Sequence, residues 1–473
     1  MKKLSLLLIT IFSIAFARAQ KDIVGSWKGV ADVMGQKLKA AFHLTKENGS
    51  YAAKFDSPDQ GALGLECGKV SLTNDSLFIE VKAIKGSYVG KWNGNDAITG
   101  SLKQGGYSFT LNLQRSLATD TVTTKPQTPK PPFNYVIEAV EYDNKQQQVH
   151  LGATLTKPNG NGKFPVAIMI TGSGPQDRDE TIGQHKSFWV IADYLTKQGI
   201  AVLRVDDRGM GKSTGNFELS SSTDFATDVM AGIDYLKTRS DIDFKHIGLI
   251  GHSEGGIIAP YVAARSKDVS FIVTLAGPAV GGQATNDYQN ILPLQKGGID
   301  KVYMDSFLSL HHALVDAAIN FKDDQAYKDA IKTRFIYWKN LQSEKTLGTL
   351  IKATDGQMIQ AFQKNYVAFR NAWWQFFLTY QPATDIEQLG CSVLVLNGEK
   401  DEQVESKPNL LAFENALKKS HTKKYAIVEV PGVNHLFQHC KECGSIQEYL
   451  ALDETFDPAT LKQMADWIKV TLQ

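Results

Sequence analysis

Ile247-Gly248-Leu249-Ile250-Gly251-His252-Ser253-Glu254-Gly255-Gly256-Ile257-Ile258-Ala259 is an apolar run, a glycine-flanked serine and an amphipathic stretch. The pattern predicts a buried strand, a sharp turn and a helix, with the Ser253 hydroxyl held at the bend. Gly251 and Gly255 carry no Cβ, so strand and helix can approach closely and the serine can take up a strained backbone position. A serine hydroxyl is a weak nucleophile by itself, and the chain must also supply a base and a group to orient it.

Outward from this segment, strand and helix signals alternate. Residues 135–142 and 149–156 read as a leading hairpin and 164–170 as a buried strand. They are followed by a helix at 188–197, a strand at 200–205, a helix at 225–238 and a strand at 270–275. After a long aromatic-rich helical stretch at about 281–385, strands return at 392–396 and 425–430, and a helix closes the chain at 458–472. Such alternation predicts a mostly parallel α/β sheet, and a helical interruption within it is most simply a cap.

Loops at the carboxyl ends of parallel strands converge on one crevice. The strand at 392–396 runs into Asn397-Gly398-Glu399-Lys400-Asp401, and the strand at 425–430 into Pro431-Gly432-Val433-Asn434-His435. Asp401 is the expected orienting acid and His435 the expected base, with Glu399, Glu402 and His439 as rivals. The chain order Ser, Asp, His is the one that accompanies the elbow-type hydrolases.

Upstream, 24–115 holds short alternating runs separated by turn signals such as Asn48-Gly49 and Gly105-Gly106. Period-two patterning at this spacing predicts a small all-β barrel or sandwich. The domain plan is a signal peptide at 1–19, a β-rich domain at 20–117, a Pro/Thr/Lys linker at 118–132 and the α/β domain at 133–473. The first 19 residues combine Lys2-Lys3, an apolar core at 4–16 and Ala17-Arg18-Ala19, which reads as export to the periplasm or beyond. The apolar core is short of the roughly 20 residues that span a bilayer.

A formal charge of +1 gives no support for the lysine- and arginine-rich surfaces that bind nucleic acid or anionic lipid. Gly211-Lys212-Ser213 superficially resembles a phosphate loop, but Asp206 stands where its first glycine is required. Cys440-x-x-Cys443, beside His439, has no second Cys/His cluster to complete a zinc site, and a local disulfide or plain thiols are the expectation. No metal or cofactor is expected.

Residues 133–473 resemble the α/β-hydrolase family. The segments Thr171-Gly172-Ser173-Gly174-Pro175-Gln176-Asp177-Arg178-Asp179, Asp206-Asp207-Arg208-Gly209-Met210-Gly211-Lys212-Ser213 and His252-Ser253-Glu254-Gly255-Gly256 are similar to those of EstD-like bacterial carboxylesterases. The resemblance implies a helical cap after the sixth strand and a Ser253, Asp401, His435 triad. It also implies an oxyanion hole built from the backbone N–H groups of Glu254 and Ser173. Thr171-Gly172 replaces the His-Gly start common in that loop, which leaves Gly174 as the alternative donor. The implied reaction is hydrolysis of a small acyl ester through an acyl-enzyme; peptide, amide or thioester substrates would use the same residues. The β-rich domain is expected to be a binding or assembly module, including for a second copy of the chain.

Overall fold

In Ser76–Val81 the residues Leu77, Ile79 and Val81 are buried and Ser76 is exposed, the alternation of a strand with one face on a core. The computed structural model describes residues 22–33, 36–47, 49–57, 62–116 and 125–473. The expected signal peptide and the first part of the expected linker lie outside them. The chain divides into two units, Met1–Val122 and Thr123–Gln473.

In the first unit ten strands between Gly25 and Arg115 form one antiparallel sheet. Trp27, Phe42, Phe55, Tyr88 and Leu113 come from strands far apart in that sheet and share one buried cluster. The sheet is therefore curled about a single core.

The second unit is built on eight strands: β1 (Tyr135–Asn144), β2 (Val149–Pro158), β3 (Phe164–Ile170), β4 (Ala201–Val205), β5 (Ile242–His252), β6 (Val269–Leu275), β7 (Ser392–Gly398) and β8 (Tyr425–Val430). Their order is β1-β2-β4-β3-β5-β6-β7-β8. β2 pairs antiparallel with β1 and β4, and every later pairing is parallel. Val166 to Ile170 of β3 are all buried, as a strand covered on both faces requires.

One face is covered by helices Ser187–Lys197 and Pro458–Thr471, which contribute Phe188, Ile191, Leu461 and Met464. The other is covered by helices Ser222–Lys237, Gly255–Ala263 and Ser406–Leu417, which contribute Ala226, Ile233, Ile258 and Phe413. This is the α/β-hydrolase fold. Between β6 and β7 the chain is helical from Gly282–Lys296 to Ala372–Thr379, and Leu314, Ile331, Phe335 and Trp338 give this insertion a core of its own.

Residues 125–132 lie against the sheet domain. Lys125 Nζ donates to the carbonyls of Leu450 and Leu452, and Gln127 exchanges hydrogen bonds with Thr455 and Phe456.

Candidate active site

β5 stops at His252, and Ser253 follows with φ +52°, a left-handed conformation that costs a non-glycine residue about 1–3 kcal/mol. The surroundings enforce it. A Cβ on Gly255 would come within 2.1 Å of Ile170 O, and one on Gly251 within 1.9 Å of Gly255 O, so β3, β5 and the following helix touch through bare backbone. The Ser253 N–H donates to Leu275 O (2.8 Å), and Ser253 O accepts from Gly256 N (2.8 Å).

Asp401 leaves the end of β7 in a tight loop. Its Oδ1 accepts the N–H groups of Gln403 and Val404, both at 2.8 Å, which turns Oδ2 toward His435. His435 follows β8 in a turn held by Asn434 Oδ1, which accepts from the N–H groups of Leu436 and Gln438. His435 Nδ1 lies 2.8 Å from Asp401 Oδ2, and both residues are only 3% exposed. A carboxylate oxygen accepts, so Nδ1 carries the proton in this contact and Nε2 is the ring nitrogen that it leaves free of Asp401.

Ser253 and His435 line one cavity of about 320 Å³. Among the described residues no hydrogen bond joins Ser253 Oγ to the His435 ring. Such contacts commonly tighten only when substrate arrives. Ser173 and Glu254 line the same cavity, and among the described residues neither of their N–H groups has a protein acceptor. Gly172 N–H is taken by Glu180 Oε1 at 2.8 Å. Gly174 is not among the cavity's lining residues.

The rivals are engaged elsewhere. His439 pairs with Glu454 at 2.9 Å with its side chain 58% exposed, Glu399 accepts from Gly432 N, and Glu402 pairs with Lys296. Of the cap aromatics, Trp373, Trp374 and Phe377 face the cavity, whereas Trp338 is core and Phe376 stacks on Tyr380. Asp206 and Arg208 form ion pairs with Arg178 and Asp228. Cys440 and Cys443 are joined as a disulfide.

Three carboxyls around the crevice have side-chain roles that the sequence reading did not give them. Asp207 accepts from Thr171 Oγ1 (2.7 Å) and Gln176 N (2.9 Å), stapling the loop that carries Ser173. Burial pushes its pKa well above the usual carboxylate range. Glu254 accepts from Ser222 Oγ (2.6 Å) and from Trp373 Nε1 (2.8 Å), tying the cap to the elbow, and burial raises its pKa too. Glu180 receives His252 Nδ1 at 2.8 Å. The partners in these contacts lie up to 119 positions apart, so no periodicity or spacing announces them.

The sequence model of the X-Pro dipeptidyl-peptidase (S15) family matches residues 147–436, more than half of the chain, including Ser173, Ser253, Glu254, Asp401 and His435. The chain belongs to the S15 family. The S15 match begins after the curled β-sheet unit and includes the whole cap. Esterase EstD of Thermotoga maritima is 31% identical over 189 residues, covering 37% of this chain and 44% of that protein. The putative hydrolase YtaP of Bacillus subtilis is 30% identical over 96 residues, 18% of this chain and 32% of that protein. The chain thus spans less than half the length of these curated relatives. The solved α/β hydrolase GrgF from Penicillium sp. sh18 has a TM-score of 0.43 at 15% identity, covering 71% of this chain and 99% of that one.

Proposed function

We propose that this S15-family chain hydrolyses carboxylic esters through an acyl-enzyme formed on Ser253. The buried 2.8 Å pair of His435 and Asp401, opening on the cavity that Ser253 lines, carries this reading. Ser253 Oγ attacks the acyl carbonyl carbon as its proton passes to His435 Nε2, and Asp401 steadies the imidazolium. The carbonyl oxygen becomes an oxyanion facing the N–H groups of Glu254 and Ser173, where each preorganised donor contributes about 3–4 kcal/mol. Collapse breaks the bond to the alcohol oxygen, which leaves with the proton from His435. Water, deprotonated by the same imidazole, then releases the acid and frees Ser253. The name of the Thermotoga relative, an esterase, supports this choice.

The family description favours a second reading, cleavage of X-Pro peptides by the same residues. An amine is a poorer leaving group than an alkoxide, so that reaction leans harder on proton delivery from His435. A burst of p-nitrophenol from p-nitrophenyl acetate, lost in Ser253→Ala, is the expected result. Turnover of X-Pro p-nitroanilides at a higher kcat/KM than any ester would replace the first reading by the second.

We also propose export, on the strength of residues 1–19; the Cys440 to Cys443 disulfide suits an oxidising compartment. A mature chain beginning at Gln20 is the expected product. The β-sheet unit is read as a binding or self-association module. Light scattering of the full chain against one starting at Thr123 tests the self-association.

A further inference from the structure

His252, the residue before the nucleophile, has no part in the reaction just described, yet it sits among all three catalytic loops. It is 6% exposed. Its Nδ1 lies 2.8 Å from Glu180 Oε1 and its Nε2 lies 3.0 Å from the backbone carbonyl of His435. Glu180 Oε1 also accepts the N–H of Gly172, the neighbour of Ser173. A carbonyl can only accept, and an oxygen already taking a backbone N–H accepts from the ring as well. With Glu180 as the carboxylate, both nitrogens of His252 donate, which makes the ring an imidazolium.

We propose that His252 is a positioning residue: its two N–H groups, one on Glu180 and one on the His435 carbonyl, lock the oxyanion loop and the base loop onto the nucleophile elbow. The inference rests on the ester-hydrolase reading and deepens it. Three observations fit together. A Cβ on Gly172 would stand 3.2 Å from Ser253 Cβ and 3.5 Å from His252 Nδ1, so loop and elbow are already in close approach. The rings of His252 and His435 are 4.8 Å apart, so a shift of either loop is felt at the base. Burial opposes the charge on His252, but the charge and hydrogen bond of Glu180, the His435 carbonyl and the more distant Asp401 outweigh it and hold the ring's pKa above its ordinary value.

His435 is thus fixed twice, by Asp401 at the ring and by His252 at the backbone. Displacing a reacting group by about 1 Å can cost on the order of 100-fold in rate. Removing the Glu180 carboxyl frees the Gly172 N–H and the His252 ring together, whereas removing the exposed His439 ring breaks only its contact with Glu454, away from the crevice.

The test uses the full chain. With nitrogen-15 in the histidine rings, the wild type is expected to show, besides the exposed His150 that lies between Asp143 and Glu141, an imidazole with both nitrogens protonated at neutral pH that is absent from His252→Asn. Glu180→Ala is expected to lower kcat for p-nitrophenyl acetate roughly 10- to 100-fold while KM stays within about threefold, a split that general loosening of the fold would not produce. His439→Asn serves as the unaffected control. A singly protonated His252 ring in the wild type, or Glu180→Ala with kcat within twofold of wild type, overturns the proposal, and the ring spectrum decides it even where a variant fails to fold. A wild type without a burst overturns the ester reading instead, and the positioning role in that reaction falls with it.

Discussion

Both oxygens of Asp401 are engaged, Oδ1 by two backbone N–H groups and Oδ2 by His435. Asp401→Asn is therefore expected to keep the fold but present the wrong imidazole tautomer, with kcat falling about 10⁴-fold in steady-state ester hydrolysis. Two other histidines are buried and neutral. His185 lies 2.8 Å from Thr455 Oγ1, and His311 is held between Asn286 Oδ1 and Tyr366 OH. Burial pushes both pKa values down to about 4. Because the folded value lies below the unfolded one, their stability is intact above pH 6.5 and is lost as pH falls toward 4. Each withdraws about 3 kcal/mol across that window. Urea melts at pH 7, 5.5 and 4.5 should show the falling stability, with His185→Gln flattening part of it. At this scale the proposed catalytic residues Ser253, Asp401 and His435 could be picked out because each sits where a recognisable strand signal ends. His252, Glu180 and Asp207 were not: a buried polar residue takes its meaning from a partner that only folding brings near.

The strands were the most readable elements, since a parallel strand buried on both faces must be an unbroken apolar run, as Val166 to Ile170 is. The start of the final helix was read correctly, but other helix ends were less readable because they depend on side chains that cap them: the helix expected at 225–238 is Ser222–Lys237, with the Asp224 carboxylate accepting from the Ser221 N–H. The final helix begins at Pro458, where Asp457 accepts from the N–H groups of Ala459 and Thr460. Asp457→Ala is expected to cost about 1–2 kcal/mol in a denaturant melt. The cap is joined to the elbow by Trp373 Nε1 on Glu254 Oε1. Trp373→Phe keeps the ring but not the donor and leaves a buried carboxyl short of a partner, a loss of about 1–3 kcal/mol. A severalfold rise in KM for p-nitrophenyl esters, with kcat less affected, is the expected reading. The two-residue ribbon of Thr181–Ile182 with His185–Lys186 is too short to show any period in the sequence.

Every residue assigned to the crevice, from Ser173 to His435, belongs to the second unit, and the first unit has its own core of Trp27, Phe42 and Tyr88. A chain running from Thr123 to Gln473 is therefore expected to hydrolyse p-nitrophenyl acetate at close to the full-length rate. A drop of more than tenfold would show that the reaction needs the first unit. The change of period, two before residue 116 and mixed after 133, brackets the division at Val122–Thr123, whereas the anchoring of Lys125 and Gln127 on residues 450–456 left no trace in composition. The strands on either side of the cap, β6 and β7, are themselves partners in register, Leu275 beside Leu396. The roughly hundred residues between them leave and re-enter the sheet at adjoining points, as a drawer does a cabinet. Evolution or an engineer can lengthen, trim or exchange that block without re-threading any hydrogen-bond ladder, so relatives with the same chemistry can diverge widely in the molecules they admit.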